Sequence, residues 1–213
     1  MSATIEPVAV AILAKAPIPG FAKTRLIPVL GEAGAATLQA RLTERAVETA
    51  TAAGTGPVTL WAAPDARHPA FARLRARFGI ALARQGEGDL GARMLAALAA
   101  AGGPALVIGT DCPALTAAHL REAADVLRAG TDVVAIPAED GGYALIGART
   151  PEPAFFDRMR WSSAGVMDET RRRLTALGLR WKELVTLWDV DVPEDLERLR
   201  AADLRHLIPA KTS

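Results

Sequence analysis

Cysteine and histidine are scarce in this chain: Cys112 is the only cysteine, and the sequence has three histidines. One cysteine excludes an internal disulfide framework, and no Cys/His cluster has the spacing of a zinc site. Such a chain suits a reducing compartment. Because no histidine lies in a motif next to Cys112, and because free cysteine is commonly buried, we predict a small buried side chain there and not a nucleophile.

Long apolar runs and an excess of one charge are missing as well. The first apolar run, from Val8 to Ala14, is too short to span a bilayer, and it follows "SATIEP" instead of a positively charged region. Lys plus Arg number 25 and Asp plus Glu 24, so there is no basic excess to hold nucleic acid. We predict a cytoplasmic protein without a membrane span or a nucleic-acid partner, in which a local group of cations binds any anion.

The composition that is present is typical of a globular domain. Hydrophobic residues make up 50% of the 213 residues and charged residues 23%, which predicts one compact domain over residues 1–213. Apolar runs bounded by turn residues predict buried strands; these runs are "VAVAILA", "PVTLWAA", "PALVIG", "DVVAIP" and "YALIGA". Helical patterns lie between them, at 32–53, 68–78, 90–101, 117–128 and 165–177. The alternation predicts an α/β fold with a mostly parallel sheet.

A cationic loop follows the first predicted strand. The stretch "AKAPIPGFAKTRL" carries Lys15, Lys23 and Arg25 between prolines and a glycine. Ligands of parallel sheets bind beyond the carboxyl ends of the strands, and Lys and Arg suit phosphate, so the loop predicts a diphosphate site. Neither the Walker pattern nor the three-glycine dinucleotide pattern is present. The alternative is a solvated basic turn before a helix.

Asp111 directly follows another predicted strand, in "PALVIGTDCPAL". Pro113 prevents the strand from continuing as a regular ladder, so the aspartate is held at a strand end. A carboxylate in that position can bind Mg²⁺ or Mn²⁺ together with substrate phosphates. The alternative is that Asp111 caps a turn, as Asp commonly does.

The stretch "PAEDGGYALIGA" places Asp140, Gly141 and Gly142 between two apolar runs. An acidic pair followed by two glycines is typical of a hairpin turn. The turn also follows the carboxyl end of a strand, where substrates bind. We therefore expect the glycines to allow close approach of a sugar or another ligand, and Asp140 to accept hydroxyl hydrogens or to act as a base.

Two acidic residues stand close together near the end of the chain. Asp189 and Asp191, in "TLWDVDVPEDLERL", are two residues apart, which puts them on one side of an extended strand. They are candidates to share an ion with Asp111. The alternative interpretation, which the sequence supports equally, is that Asp191 is the cap of a helix that begins at Pro193.

Two further stretches are weaker candidates for binding. "RQGEGDLGARM" puts Gln85, Asp89 and Arg93 around glycines at the start of a helix, whose free N–H groups suit an anion or a base edge. Trp161 and Ser162, in "MRWSSAGV", are candidates to line an acceptor pocket, although a buried anchor is the commoner role for such a tryptophan.

Taken together, "AKAPIPGFAKTRL", "GTDCPAL", "EDGGYALIGA", "RWSS" and "DVDVPEDL" resemble the MobA-like glycosyltransferase-A superfamily of nucleotide-diphospho-sugar transferases. The likeness is greatest to its bacterial branch of arsenosugar-biosynthesis-type glycosyltransferases, and the motifs occur in the family's order from about Val8 to Leu199. The resemblance implies a three-layer α/β/α sandwich with a mixed, mostly parallel sheet that binds a nucleotide over its N-terminal half.

The resemblance also implies roles for the residues that match the family's motifs. Lys23 and Arg25 match positions that meet donor phosphates, and Asp111 matches the aspartate that holds Mg²⁺ or Mn²⁺. Asp140, with the two glycines after it, matches the loop that faces the sugar or acceptor, and Asp191 matches a late acidic position that can join the metal.

The reaction implied is metal-dependent transfer of a sugar from a nucleotide sugar to a small acceptor. The sequence departs from the superfamily's nucleotidyltransferases, because the opening "LAAGxGxRMG" is missing, and from many glycosyltransferases, because "DxD" is reduced to "TDCP". The first loop is also similar to that of 2-phospholactate guanylyltransferase, so nucleotidyl transfer with release of pyrophosphate is the alternative. A nucleotide-binding module without catalysis is a third hypothesis, against which the retained acidic and basic residues argue.

Overall fold

A computed structural model describes residues 5–161 and 163–210 of the chain. Its centre is a seven-stranded sheet in the order β3-β2-β1-β4-β6-β5-β7. Every strand pair is parallel except the two that involve β6, which runs antiparallel to β4 and β5. The strands are β1 (Ala9–Lys15), β2 (Val58–Ala63), β3 (Ala81–Arg84), β4 (Ala105–Ile108), β5 (Val133–Pro137), β6 (Tyr143–Ala148) and β7 (Trp181–Glu183).

Six α-helices connect and cover the strands in the described part of the chain. They are α1 (Ile27–Ala53), α2 (Pro69–Phe78), α3 (Leu90–Ala100), α4 (Ala117–Arg128), α5 (Val166–Ala176) and α6 (Asp195–Ala201). The five helices predicted from periodicity are confirmed, with small differences at their ends. Helix α1 starts earlier than predicted but is kinked at Gly31, which has φ 68° and ψ 167°, so the regular helix begins at Glu32 as the pattern indicates.

The five predicted strands are also confirmed, whereas β3 and β7 are not predictable from apolar runs. Both are edge strands of three or four residues. Their side chains are exposed or only half-buried, so neither stretch is a continuous apolar run. Short edge strands with polar residues are a common means of protecting a sheet edge.

Alternate residues of the strands pack into two separate cores. On one face, Ile12 and Leu106 belong to a buried cluster that includes residues of α1, α2 and α4. On the other face, Ala11 and Val107 belong to a cluster that includes residues of α3 and α5. This period of two is that of a sheet buried on both sides. The predicted three-layer α/β/α fold is therefore confirmed.

The direction of the strands places their following loops together. Strands β1, β4, β5 and β7 are parallel through their neighbours, so the segments after their carboxyl ends emerge at one edge of the sheet. After β7 the chain continues beside β5, with a bridge between Ala138 and Leu187, and reaches the same edge at Asp189. Within the described residues, no helix combines the length and the apolar character needed to cross a membrane.

Candidate active site

The ammonium of Lys23 lies at the centre of this edge. Its Nζ is 2.7 Å from Oδ1 of Asp111 and donates a hydrogen bond of 2.5 Å to the carbonyl oxygen of Val190. The Lys23 side chain is only 4% exposed, whereas that of Asp111 is 51% exposed. The loop after β1 thus folds back to meet the loop after β4, and the two predicted site residues form one ion pair.

Asp111 is held in place by a buried polar network that the sequence analysis did not identify. Thr110 Oγ1 donates to Asp111 Oδ1 at 3.2 Å, and Gln39 Nε2 donates to Thr110 Oγ1 at 3.0 Å. Gln39 also contacts Thr43 Oγ1 at 3.2 Å, and all three polar residues are buried. Two polar residues one helical turn apart, beside the buried Leu38 and Leu42, are the sequence feature that indicates such a network.

Two other carboxylates and this ammonium lie near the carboxylate of Asp189. Burial raises the pKa of Asp189 to about 6, and the negative charges of Asp140 and Asp111 add to the increase, while Lys23 opposes it. These effects require Asp140 and Asp111 each to lie near Asp189. Asp189, one of the predicted late pair, is therefore near Asp111.

Asp191 contacts a different cation. Its carboxylate forms an ion pair with the guanidinium of Arg25, in which both side chains are about half-exposed or more. Asp191 does not cap the last helix, because α6 begins at Asp195 and the carboxylate of Asp195 accepts the N–H groups of Asp191 and Val192, each at 2.8 Å. The cap interpretation of Asp191 is therefore wrong, and its role as a metal ligand stays a prediction.

The turn after β5 is the predicted hairpin, and it orients Asp140. Asp140 Oδ1 accepts the N–H of Gly142 at 2.8 Å, so the carboxylate is fixed against its own turn. Gly141 has φ +89°, and a Cβ at that position would lie 2.1 Å from the carbonyl oxygen of Ala164. The close approach that we expected for a ligand is here made by a loop of the same chain.

The weaker candidates mostly stabilise the edge of the sheet. Gln85 donates from Nε2 to the carbonyl oxygens of Ala14 and Trp61 at 3.2 and 2.8 Å, which ties the ends of β1 and β2 together. Lys15, at the end of β1, is exposed. Within residues 5–161 and 163–210, the buried Nε of Arg93 has no hydrogen-bond partner.

Trp161 is an anchor between two loops. Its Nε1 donates to Oδ2 of Asp89 at 3.0 Å, and its ring would lie 2.6 Å from a Cβ placed on Gly91. It also packs edge-on against Tyr143, with ring centroids 6.4 Å apart. Trp161 is thus a half-buried anchor and not a fully buried one, while its contact with an acceptor stays a prediction; Ser162 lies outside the described residues.

Cys112 lies next to the site but does not have the properties of a nucleophile. The side chain packs against the core beneath α4, and burial raises the pKa of its thiol to about 12. Because only the thiolate is nucleophilic, the group is unreactive near neutral pH. The predicted burial is thus only partial, while the raised pKa of the thiol agrees with the prediction that Cys112 is not a nucleophile.

The chemistry of the donors fits a cation that the protein shares with a substrate. In the part of the chain that the structure describes, no three Asp, Glu, His or Cys side chains are arranged to hold a metal ion by themselves. However, Asp111 Oδ1 and the Val190 carbonyl oxygen already bind one cation, the Lys23 ammonium. One or two carboxylates completed by phosphate oxygens are the usual ligands of Mg²⁺.

Comparison with known proteins gives a family and a fold. A family model described as "Uncharacterized protein conserved in bacteria (DUF2064)" matches residues 46–163, more than half of the chain. This region contains Asp111 and Asp140 but ends before Asp189 and Asp191. The sequence matches no protein in the set of curated sequences.

Solved structures share the architecture over nearly the whole chain. A protein from Desulfovibrio desulfuricans G20, provisionally named a nucleotide-diphospho-sugar transferase, is 27% identical with a TM-score of 0.79, covering 94% of this chain and 97% of its own. The 4-diphosphocytidyl-2C-methyl-D-erythritol synthase of Anaerococcus prevotii is 12% identical with a TM-score of 0.61, covering 93% and 99%. A nucleotidyl transferase from Methanothermobacter thermautotrophicus is 17% identical with a TM-score of 0.60, covering 94% and 100%. The first of these carries a transferase name, in agreement with the predicted enzyme class, and the other two share the fold.

Proposed function

Because the chain belongs to the bacterial protein family DUF2064 and folds like the transferases named above, we propose that it is a transferase that uses a nucleotide-activated donor. A sugar nucleotide is the favoured donor and a small hydroxyl compound the acceptor. The observation that carries the proposal is the ion pair of Lys23 and Asp111, with Asp140 and Asp189 close by, at the carboxyl edge of the sheet. The family branch of arsenosugar-biosynthesis-type enzymes and a cytoplasmic location belong to the same proposal.

Each group at this edge has a chemical task in the proposed reaction. Arg25 and Lys23 bind the donor phosphates, and Asp111 with Asp191 would hold Mg²⁺ or Mn²⁺ for the same phosphates, with Asp189 near Asp111. Such an ion supplies Lewis-acid neutralisation of the diphosphate charge. Asp140, fixed by its turn, orients the acceptor hydroxyl or removes its proton.

Nucleotidyl transfer is the alternative, and the similarity to the Methanothermobacter and Anaerococcus enzymes favours it. In that reaction the acceptor attacks the α-phosphate of a nucleoside triphosphate and pyrophosphate leaves. The missing glycine-rich opening disfavours it, because that loop is replaced by the stretch from Lys15 to Arg25. Analysis of products separates the two reactions, since sugar transfer releases a nucleoside diphosphate and nucleotidyl transfer releases pyrophosphate.

Binding experiments test the site independently of the acceptor. We expect calorimetric titration with a panel of nucleotide sugars and nucleoside triphosphates to show at least one ligand whose affinity Mn²⁺ increases. Asp111→Asn keeps the shape but removes the charge, so the fold should survive and the enhancement by Mn²⁺ should disappear.

Asp125→Asn is the matched control, because Asp125 lies on α4 with its side chain 71% exposed and pairs with Arg128. Arg128 in turn donates to the carbonyl oxygens of Glu6 and Thr55, which precede β1 and β2 and so lie at the opposite edge of the sheet. Full enhancement by Mn²⁺ in the Asp111→Asn variant would show that Asp111 is only a turn residue, and the proposed metal role would be wrong.

A further inference from the structure

The ammonium of Lys23 and a divalent ion would compete for the same oxygen atoms. Lys23 Nζ contacts Asp111 Oδ1 and the Val190 carbonyl oxygen at hydrogen-bond distances, and Asp111 is the residue proposed to hold the metal. Building on the proposed function, we infer that Lys23 is a tethered cation that occupies the metal position of Asp111 until the phosphates of a nucleotide draw its ammonium away. Lys23 is then a positioning residue that couples the binding of metal and nucleotide.

The packing around Lys23 makes it an internal group and not a freely moving surface cation. Its side chain is 4% exposed, and the residue has a left-handed backbone, with φ 48°, directly before the short 3-10 helix that leads into α1. A buried ammonium needs hydrogen-bond acceptors, and Asp111 and Val190 provide them. Displacing the ammonium from Asp111 therefore has a cost, which a new anionic partner lowers.

The balance of charge provides the reason for an exchange. Asp140 and Asp111 lie near enough to Asp189 to raise the pKa of its carboxyl, and Lys23 is the cation in contact with Asp111. A divalent ion neutralises this group more completely, but its charge repels an ammonium on the same carboxylate oxygen. The phosphates of a nucleotide would remove this repulsion, because the Lys23 ammonium could then pair with a phosphate and leave Asp111 to the divalent ion.

The inference makes a prediction about Mn²⁺ without nucleotide. Lys23→Met replaces the buried lysine side chain with one of similar length and no charge. Because the competing ammonium is then gone, Mn²⁺ should bind this variant at least about tenfold more tightly than the wild type. Lys23→Gln is a second variant of similar length. The control is Lys182→Met, because Lys182 is an exposed lysine on β7 and its loss changes the net charge equally. Direct titration of Mn²⁺, followed by electron paramagnetic resonance, measures the affinities.

The inference also predicts that nucleotide and Mn²⁺ promote each other's binding less in the Lys23→Met variant than in the wild type. By linkage, a residue that opposes metal binding in the free protein and assists nucleotide binding makes each ligand promote the other. UDP and GDP are suitable probes, and the factor by which either one increases Mn²⁺ affinity should be smaller in Lys23→Met than in the wild type. Unchanged or weaker Mn²⁺ binding in the folded Lys23 variants would overturn the inference.

A measurement on the wild type does not depend on how the variants fold. Saturating Mn²⁺ without nucleotide should displace the ammonium from Asp111 and speed the reductive methylation of Lys23, as measured by mass spectrometry. An unchanged rate under saturation overturns the inference while leaving the proposed function intact. If the wild type binds no Mn²⁺ even with nucleotides, the proposed function itself fails, and this inference with it.

Discussion

At the scale of single residues, the site contains a carboxylate whose ionised form is unfavourable in the folded protein. Asp189 is the clearest case, because burial and the charges of Asp140 and Asp111 together raise its pKa to about 6. A carboxylate with a raised pKa destabilises the folded state whenever it is ionised. Proteins accept such local costs at functional sites, which agrees with the proposed cation site.

This charge predicts a gain in stability for Asp189→Asn in the absence of divalent ions. The shift from 3.8 to about 6 corresponds to about 3 kcal/mol at most, and solvent screening of this half-buried group reduces the expected gain to about 1 kcal/mol at pH 7. The unfolding free energy of the wild type falls by this amount as the pH rises from about 4 to 6 and Asp189 ionises in the folded state. The advantage of the variant should therefore vanish near pH 4. Urea denaturation in EDTA across this pH range measures it.

The same series separates the local effect from a general effect of net charge. Asp125→Asn removes one negative charge at the opposite edge of the sheet and should change the unfolding free energy little. If both variants show the same pH dependence, or if Asp189→Asn is less stable than the wild type at pH 7, the proposed crowding of carboxylates is wrong.

At the scale of elements, the site depends on the contact between two loops. The hairpin turn that carries Asp140 packs against the loop before α5, with the backbone of Ala164 in the space that a side chain on Gly141 would fill. The Gly141 carbonyl oxygen also accepts the N–H of Met167 at 2.9 Å. The glycine is thus required by the packing of the chain, in addition to any ligand.

Gly141→Ala should therefore destabilise the protein by at least about 1 to 3 kcal/mol, because it adds strain at φ +89° and a clash with backbone atoms. Gly165→Ala is the matched control in the neighbouring loop, since Gly165 has φ −94° and a Cβ added there would meet no atom of the described residues within 4 Å. Its unfolding free energy should change by less than about 0.5 kcal/mol. Equal effects of the two substitutions in chemical denaturation would contradict the packing argument.

At the scale of the whole molecule, the end of the chain packs onto its beginning. Leu26, Leu38 and Leu42 form a third buried cluster with Val190 and with Leu199 of α6. This cluster lies directly behind the contact between Lys23 and the Val190 carbonyl oxygen. Residues that are far apart in sequence therefore support the site through one patch of apolar packing.

Leu199→Ala tests this support. Leu199 is fully buried, so its truncation should cost about 2 to 5 kcal/mol of unfolding free energy. Leu177→Ala is the control, because Leu177 is 43% exposed and its loss should cost less than about 1 kcal/mol. Thermal or urea denaturation compares the two, and equal losses would show that the third cluster adds little to stability.

The sequence by itself determined the class of fold and most of its elements. Continuous apolar runs identify β1, β2, β4, β5 and β6, because a strand covered on both faces has no polar alternation. The helices follow from periodicity and from caps such as Thr116 before α4, whose side chain accepts the N–H of His119 at 3.3 Å. Local patterns were sufficient here, since each element carries its own buried face.

Only the tertiary structure decided how the candidate residues pair. Sequence motifs proposed Lys23, Asp111 and the late aspartates, but they did not show that Lys23 contacts Asp111, that Asp191 contacts Arg25, or that Asp189 joins the carboxylates. Gln39 and Thr110 likewise appear as site residues only when α1 packs beside the end of β4. The physical reason is that contacts between distant segments depend on strand order and helix packing, which no single stretch of the sequence specifies.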